Sequence, residues 1–335
     1  MTFPTVISLF SGAGGLDLGF HLAGFKVAFA VDISEWAVAT HKRNFPNTTS
    51  VRADMVEIGA EQVVRLIQSA VPAGTRIGVI GGPPCQGFSR ANTNADPKDP
   101  RNKLPLLYLD IVSRLQKLYE VEFVLFENVL GIRDRKHEVA FAAILNRFKR
   151  LGFSASVGEY SALDFGVPQT RRRVIITAFR TVRIRAAFKP TTAARTQLTV
   201  RHAIAAYPEP TYFERSLKPA DINFHPNHWT MRPKSPKFSS PDAVVSNARS
   251  FKRLAWDLPS PTVAYGHREI HVHPNGHRRL SILEAMTLQG FPRSFVLEGP
   301  LSAQVEQVSN AVPPPLAIAL ATATATALGF GSSHD

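Results

Sequence analysis

The chain has 335 residues, of which 44% are hydrophobic and 19% are charged, which excludes wholesale disorder and suggests about two globular domains. Its one cysteine, Cys85, excludes an intrachain disulfide and any multi-cysteine metal site, so we expect no metal and a reducing, cytoplasmic location. The net charge is +13, and residues 171–280 carry a balance of +14, with 20 Lys and Arg against 6 Asp and Glu. A charge excess this localised is expected of a face that meets a polyanion such as nucleic acid, the alternative being a solvated basic surface. No apolar run reaches the ~18 residues of a membrane-spanning helix.

Strands and helices alternate along the first half of the chain. Apolar, β-rich runs predict strands at 5–10, 26–31, 51–53, 76–81 and 122–127, with a further apolar run at 174–178. Helical periodicity predicts helices from Leu16 and at 35–43, 61–69, 104–118 and 138–150. This order implies an α/β fold with a doubly wound, mostly parallel sheet, which binds its ligands at the carboxyl ends of the strands.

The alternation stops near residue 180, where Pro, His, Lys and Arg become frequent. We therefore expect a first domain at 1–180, a second, smaller and irregular domain at 181–278, and a return to the first domain at 279–335. Helices are predicted at 281–289 and, interrupted by proline, at 304–328. The segment 316–328 is too short to span a bilayer and is expected to pack on the first domain.

A glycine-rich loop at 10–15 (FSGAGG) follows the first strand and opens a helix. Glycines allow the backbone to approach a ligand closely, but the GxGxxG pattern of dinucleotide sites fails because Asp17 takes its third position. A nucleoside-type cofactor without a pyrophosphate remains compatible. Asp32 and Asp54 end the second and third strands, where carboxylates commonly bind ribose hydroxyls or an adenine amino group. The alternative is a structural turn and two solvated N-caps.

Two reactive side chains follow the next strands on the same edge of the sheet. Cys85 lies between a rigid Pro-Pro pair and a polar loop, and its thiolate is a candidate nucleophile, although a lone cysteine is more often a small buried hydrophobe. Glu127 ends the fifth strand after an apolar approach at 123–125. Partial desolvation would favour the protonated form of Glu127 and suit a proton donor.

Basic residues begin immediately before the run at 174–178. Strand alternation would place Gln169, Arg171 and Arg173 on one face and Arg172 on the other. A second basic stretch, at 225–237, interleaves histidine, proline and lysine. Such runs are usually solvated, but these two lie within the segment that carries the excess charge.

Six motifs, in order, resemble those of the DNA (cytosine-5) methyltransferase family, over most of 5–180 and 279–325. They are 10–15 (FSGAGG), 84–86 (PCQ), 127–129 (ENV), 169–173 (QTRRR), 279–292 (RLSILE…LQGFP) and 307–312 (QVSNAV). The chain departs from the family pattern at Ser8, where many members have Asp, and at Ser309 and Ala311, where Gly and Ser are usual. These departures bear on local backbone geometry and cofactor contacts.

The resemblance implies a mechanism in which Cys85 attacks C6 of a flipped cytosine while Glu127 protonates or hydrogen-bonds N3. C5 would then take the methyl group of S-adenosylmethionine, with Arg171 and Arg173 holding the base. The implied cofactor residues are Phe10, Gly12, Gly14, Asp32, Ile33, Asp54, Pro84 and Asn310. The implied DNA contacts are Gln86, Ser89, Arg90, Gln169, Lys234 and Lys237. Residues 86–102 would form a closing lid, and 181–278 the target-recognition domain.

The implied protein is a monomeric bacterial or phage modification enzyme that acts on double-stranded DNA, meets the nucleoid through it, and is paired with a restriction endonuclease. Three alternatives remain. A tRNA cytosine-5 methyltransferase belongs to the same family, but Gly87 and Phe88 favour the DNA branch. An NAD-dependent oxidoreductase is opposed by the failed GxGxxG pattern. A catalytically inactive DNA-binding protein is opposed by the presence of Cys85, Glu127 and Arg173 together.

Overall fold

The computed structural model describes residues 2–84, 103–193, 198–234, 238, 252–262 and 271–330, and these fall into two compact units. The first, here called the sheet unit, takes the described parts of 1–161, 172–191 and 316–335. The second unit takes those of 162–171 and 192–315. In this division residues 279–315 cluster with the second unit and the described part of 316–335 with the first, and the predicted return of 279–335 to the first domain stays a prediction.

The sheet unit is built on a sheet with, among the described residues, seven strands in the order β3-β2-β1-β4-β5-β7-β6. The strands are β1 (Thr5–Leu9), β2 (Val27–Asp32), β3 (Thr49–Arg52), β4 (Arg76–Gly81), β5 (Glu120–Asn128), β6 (Ser154–Ser161) and β7 (Arg172–Phe179). The neighbouring pairs among β1 to β5 are parallel, and β7 is antiparallel to both β5 and β6. The predicted doubly wound, mostly parallel sheet is thus confirmed, and β6 is the strand that the sequence did not predict.

Helices follow most strands of this sheet, and further helices lie in the second unit. In chain order they are α1 (Gly15–Leu22), α2 (Glu35–Asn44), α3 (Met55–Ala70), α4 (Leu104–Leu115), α5 (Glu138–Arg150), α6 (Val182–Ala187), α7 (Val200–Ile204), α8 (Ile282–Leu288), α9 (Leu301–Asn310) and α10 (Pro314–Ala327). The bounds of α5 are those predicted. In contrast, α3 begins six residues earlier than predicted and contains a non-helical residue, Gly59, with φ 74° and ψ 163°.

The C-terminal helix α10 packs on α1, as the sequence predicted. A Cβ atom added at Gly19 in α1 would lie 2.3 Å from the Ala317 Cβ and 2.4 Å from the Ala317 carbonyl carbon. Only glycine allows the two helices to approach this closely. Within the described residues, no helix combines the length and the apolar character needed to cross a membrane.

The second unit has a small core of its own, which explains why 279–315 belongs to it. Leu280 and Leu288 pack in one apolar cluster with Val200, Ile204 and Leu254. Its strands are short: β8 (Thr211–Tyr212) pairs with β9 (Trp229–Thr230), and β10 (Lys252–Arg253) pairs with β11 (His271–Val272). This agrees with the irregular character predicted for the segment after residue 180.

Candidate active site

The glycine-rich loop after β1 has an unusual backbone. Phe10 has φ 54°, Gly12 has φ 54° and Gly14 has φ 89°, so that every second residue adopts a conformation that L side chains rarely accept. Phe10 is the only non-glycine residue among those described with a positive φ. A Cβ atom at Gly14 would lie 2.5 Å from the ring of Phe45. Backbone strain of this kind concentrates at ligand-binding loops.

The Asp32 carboxylate fixes this loop to the end of β2. Its Oδ2 accepts a hydrogen bond from the Gly12 backbone N–H at 2.8 Å, and its Oδ1 accepts one from the Ser34 N–H at 2.9 Å. Ser34, not Asp32, is the N-cap of α2. Asp32 therefore has a structural role in the loop, distinct from the N-cap alternative considered for it.

Asp54 does act as an N-cap. Its Oδ1 accepts hydrogen bonds from the backbone N–H groups of Val56 at 2.9 Å and Glu57 at 3.4 Å, at the start of α3. The N-cap interpretation is therefore confirmed for Asp54, and its contact with a cofactor stays a prediction.

Exposed apolar side chains lie beside these two carboxylates. Ile33 follows Asp32 directly, Trp36 lies in the first turn of α2, and Val56 lies in the first turn of α3. Large apolar groups are usually withdrawn from water, so their exposure at the carboxyl ends of β2 and β3 is typical of a site for a partly apolar ligand. Sequence reasoning did not identify Trp36 or Val56. Their position in the first turn after an acidic strand end was the available signal.

Glu127, at the end of β5, forms an ion pair with Arg173 of β7. The distance from Arg173 Nε to Glu127 Oε1 is 2.8 Å, and the two side chains are only 12% and 11% exposed. Burial lowers the pKa of Arg173 from its usual value, and the charge and hydrogen bond of Glu127 oppose that shift. A Cβ atom at Gly82 would lie 2.6 Å from Glu127 Oε2, so any other residue there would displace the carboxylate from its present position.

Asn128 connects the end of β5 to the segment that leads to Cys85. Its Nδ2 donates a hydrogen bond to the Pro83 carbonyl at 3.2 Å, and its Oδ1 accepts one from the Val129 N–H at 2.9 Å. Pro84 is exposed at the end of this described stretch. The predicted residues Cys85, Gln86, Ser89, Arg90 and Lys237, and the proposed lid at 86–102, lie outside the described residues.

Two residues predicted to contact the base or the DNA make hydrogen bonds inside the second unit. Arg171 is almost fully buried, and its Nη2 donates to the Ser309 carbonyl at 2.7 Å. Gln169 is fully buried, and its Nε2 donates to Gln289 Oε1 at 2.7 Å. Strand alternation does not apply to Arg171 and Gln169, because β7 begins only at Arg172. The contacts with base and DNA expected of Arg171 and Gln169 stay predictions.

The remaining predicted residues of the second unit are accessible. Asn310 is exposed as the last residue of α9, and Lys234 is exposed in an irregular segment after β9. The contacts expected of them, with the cofactor and with DNA respectively, stay predictions.

Comparison with known proteins gives one consistent result. A model of the C-5 cytosine-specific DNA methylase family matches residues 4–325. The Type II methyltransferase M1.HphI of Haemophilus parahaemolyticus is 34% identical over 330 residues, which cover 93% of this chain and 84% of that protein. The Type II methyltransferase M.MthTI of Methanothermobacter thermautotrophicus is 33% identical over 334 residues, covering 93% and 94%.

Solved structures share the fold over nearly the whole chain. A prophage-encoded protein of E. coli, assigned as a DNA modification methyltransferase, superposes with a TM-score of 0.78 at 25% identity and covers 98% of this chain and 100% of its own. The Dnmt2 methyltransferase of S. pombe superposes with a TM-score of 0.67 at 16% identity, covering 98% and 99%. The second likeness concerns the fold alone.

Proposed function

Because the chain belongs to the C-5 cytosine-specific DNA methylase family, we propose that it methylates C5 of one cytosine within a specific sequence of double-stranded DNA, as part of a restriction–modification system. Enzymes of this family use S-adenosylmethionine, which supplies the methyl group when bound. The observation that carries the proposal is the buried Glu127–Arg173 pair, which lies at the carboxyl edge of the sheet and is linked through Asn128 to the segment leading to Cys85.

The carboxyl edge of β1 to β3 fits a nucleoside with a cationic sulfonium. The loop from Phe10 to Gly14 allows close backbone approach, and its missing third glycine matters little because S-adenosylmethionine has no pyrophosphate. Asp32, whose carboxylate accepts the Gly12 and Ser34 N–H groups, would also bind a ribose hydroxyl, as carboxylates at this strand end commonly do. Ile33, Asp54 and Trp36 would contact the adenine. Pro84 and Asn310 complete the proposed cofactor residues.

The chemistry begins on the cytosine, which must leave the duplex to be reached. The Cys85 thiolate forms a bond to C6, and N3 takes a proton or a hydrogen bond from Glu127, which makes C5 nucleophilic. C5 then accepts the methyl group. A base removes the C5 proton, and the electron pair of that C–H bond expels the Cys85 thiolate. A proton taken by N3 returns to Glu127, which restores both the aromatic ring and the enzyme.

Arg173 is proposed to hold both Glu127 and the substrate. Its guanidinium, with Nε 2.8 Å from Glu127 Oε1, stabilises the carboxylate that remains when Glu127 has given its proton to N3. A guanidinium has five N–H donors, and those not used by Glu127 can bind the carbonyl O2 of the base. The contact of Arg171 with the base stays part of the proposal, beside the hydrogen bond that its Nη2 donates to the Ser309 carbonyl.

The proposal is tested by sequencing bisulfite-treated DNA from cells that express the wild type or Cys85→Ser. We expect protected cytosines within one short sequence for the wild type and none for the variant. A duplex with 5-fluorocytosine in that sequence should form a covalent adduct with the wild type only, because fluorine cannot leave as a proton. Methylation of tRNA without methylation of DNA would contradict the proposal and favour the alternative within the family. Undiminished turnover by Cys85→Ser would remove Cys85 from the mechanism.

The biological setting is part of the same proposal. The named relatives are Type II methyltransferases. Pairing with a restriction endonuclease, a monomeric state and a bacterial cytoplasmic location follow as expectations. Digestion of the host DNA by a candidate endonuclease, with and without this protein, tests the pairing directly.

A further inference from the structure

Two arginines share one glutamate at the carboxyl edge of the sheet. Glu159 of β6 accepts from Arg133 Nη1 at 2.5 Å through Oε1 and from Arg172 Nη2 at 3.2 Å through Oε2. Arg133 ends the 3-10 turn Leu130–Arg133 that follows β5, and Arg172 is the first residue of β7. These three residues are called the Glu159 cluster. They line a cleft of about 290 Å³ together with Leu130 and Asp134.

The charges of the Glu159 cluster do not balance. Two guanidinium groups face Glu159, a net charge of +1 for these three residues. With Asp134, which lines the same cleft, and the exposed Arg135 and Lys136 beside it, four cations stand against two carboxylates, a local balance of +2. The Arg133 and Arg172 side chains are 46% and 58% exposed, against 33% for Glu159. The cations are therefore more accessible than the anion between them. Each guanidinium keeps donors beyond the one used by Glu159, in the planar fork that suits a phosphate group.

The Glu159 cluster lies beside the catalytic pair but on the other face of the sheet. Strand alternation puts Arg172 and Arg173 on opposite faces, and their Cα atoms are about 3.8 Å apart along the chain. Arg173 reaches Glu127 on one face, while Arg172 reaches Glu159 on the other. A duplex that presents a base to Glu127 must bring its charged backbone to this same edge of the sheet.

We propose that the Glu159 cluster is a phosphate clamp for the DNA backbone, with Arg133 and Arg172 as the phosphate-binding residues and Glu159 as the carboxylate that competes with the phosphate for them. This rests on the proposed action on DNA, and it adds a contact surface within the sheet unit. Arg133, Arg135 and Lys136 lie outside the segment 171–280, so the distribution of charge along the chain did not indicate this surface.

The sheet unit also contains a matched control. Glu61 of α3 is shared by Arg65, with Nη2 at 2.7 Å, and by Arg114 of α4, with Nη1 at 3.5 Å. This Glu61 cluster likewise joins two arginines to one glutamate and is exposed, and its Arg114 also pairs with Asp110 at 3.4 Å. Arg65 and Arg114 lie in the C-terminal parts of helices that follow β3 and β4, and hence toward the amino edge of the sheet, away from the catalytic pair.

The test measures binding of a short mixed-sequence duplex by fluorescence anisotropy between about 50 and 200 mM salt. In Arg133→Gln/Arg172→Gln, the slope of log K against log salt should decrease in magnitude by about 0.9 for each phosphate that the variant no longer binds. Glu159→Gln should bind the duplex more tightly than the wild type, because it removes only the negative charge. Arg65→Gln/Arg114→Gln and Glu61→Gln should match the wild type.

Equal salt slopes for the two arginine double variants would overturn the clamp, as would unchanged or weaker binding by Glu159→Gln. S-adenosylmethionine affinity, measured by calorimetry, confirms that each variant is folded. If the arginine double variant does not fold, the opposite sign expected for Glu159→Gln still decides the matter. Bisulfite sequencing with the wild type separates the two proposals: methylation with equal slopes overturns the clamp alone, whereas unequal slopes without methylation support the clamp as a nucleic-acid contact and overturn the proposed activity.

Discussion

Replacing Glu127 with glutamine separates what this carboxylate contributes to the fold from what it contributes to the reaction. The amide keeps the shape of the side chain beside Gly82, but it removes the negative charge 2.8 Å from Arg173 Nε. The Arg173 side chain is only 12% exposed, so water compensates little for the missing carboxylate. Removing one partner of a buried ion pair typically costs ~3–5 kcal/mol of unfolding free energy, and the residual exposure of this pair favours the lower end.

The double variant Glu127→Gln/Arg173→Gln should recover part of that loss, because the stranded positive charge is removed as well. The coupling free energy between two residues in contact is about 0.5–3 kcal/mol, so the two single effects on unfolding should not add. Methyl transfer should behave differently. Loss of a positioned acid–base group lowers the rate by roughly 10²–10⁴-fold, and the double variant should be no faster than Glu127→Gln.

The unfolding free energies are measured by urea denaturation, and the rates by single-turnover transfer of a labelled methyl group at saturating DNA and S-adenosylmethionine. A double variant whose rate recovers together with its stability would show that Glu127 acts only through the fold. A decrease of less than about threefold in Glu127→Gln would also refute its catalytic role, since it is far below the usual range for acid–base catalysis.

Three further changes test other parts of the structure. Asp54→Asn should retain the N-cap of α3 and the stability of the protein, but it should raise the KM for S-adenosylmethionine. Asp54→Ala should raise this KM and also lower the stability by about 1 kcal/mol. An unchanged KM in Asp54→Asn would show that Asp54 acts only as an N-cap. Gly19→Ala should lower the melting temperature, because overpacking costs about 1–3 kcal/mol and exceeds the gain in helix propensity, and Ala317→Gly should rescue it only in part because backbone atoms of α10 also lie within 2.6 Å. Burial lowers the pKa of His273 to about 4, so the unfolded chain takes up a proton at this residue between about pH 6.5 and 4 while the folded chain does not. Stability should therefore fall as the pH decreases through this window, by at most about 1.4 kcal/mol per pH unit for this residue, and a His273→Asn variant with the same pH dependence would contradict the assignment.

The parallel strands could be predicted because they are buried on both faces and therefore appear in the sequence as apolar runs. Their ends located Asp32 and Glu127 at one edge of the sheet, as the structure has them. β6 could not be predicted in this way, since Ser154–Ser161 contains no buried residue. The direction of β7 could not be predicted either, because antiparallel pairing depends on the strand order rather than on the residues of the strand itself.

Arg173 pairs with Glu127 because β7 runs antiparallel to β5. In a parallel strand, functional residues follow the apolar run, but in β7 the first residues of the strand reach the carboxyl edge. Strand alternation correctly predicted that Arg172 and Arg173 lie on opposite faces of the sheet, since both belong to β7. It does not apply to Arg171 and Gln169, which precede the strand. The space left by Gly82 and the shared Glu159 depend on residues about 45 and 13–26 positions apart, and no local pattern reports such contacts.

The break at Gly59 divides α3 into two parts with different mechanical roles. The longer part is anchored in the core of the sheet unit through Val63 and Ile67, which are fully buried. The short part before Gly59 contains the turn capped by Asp54 and carries Val56 at the edge where we propose that the cofactor binds. With φ 74°, Gly59 interrupts the run of helical residues, so a displacement of this turn need not be transmitted along the helix axis. An enzyme that takes up and releases its methyl donor in every cycle can therefore adjust its adenine-side contacts while the register between helix and sheet stays constant.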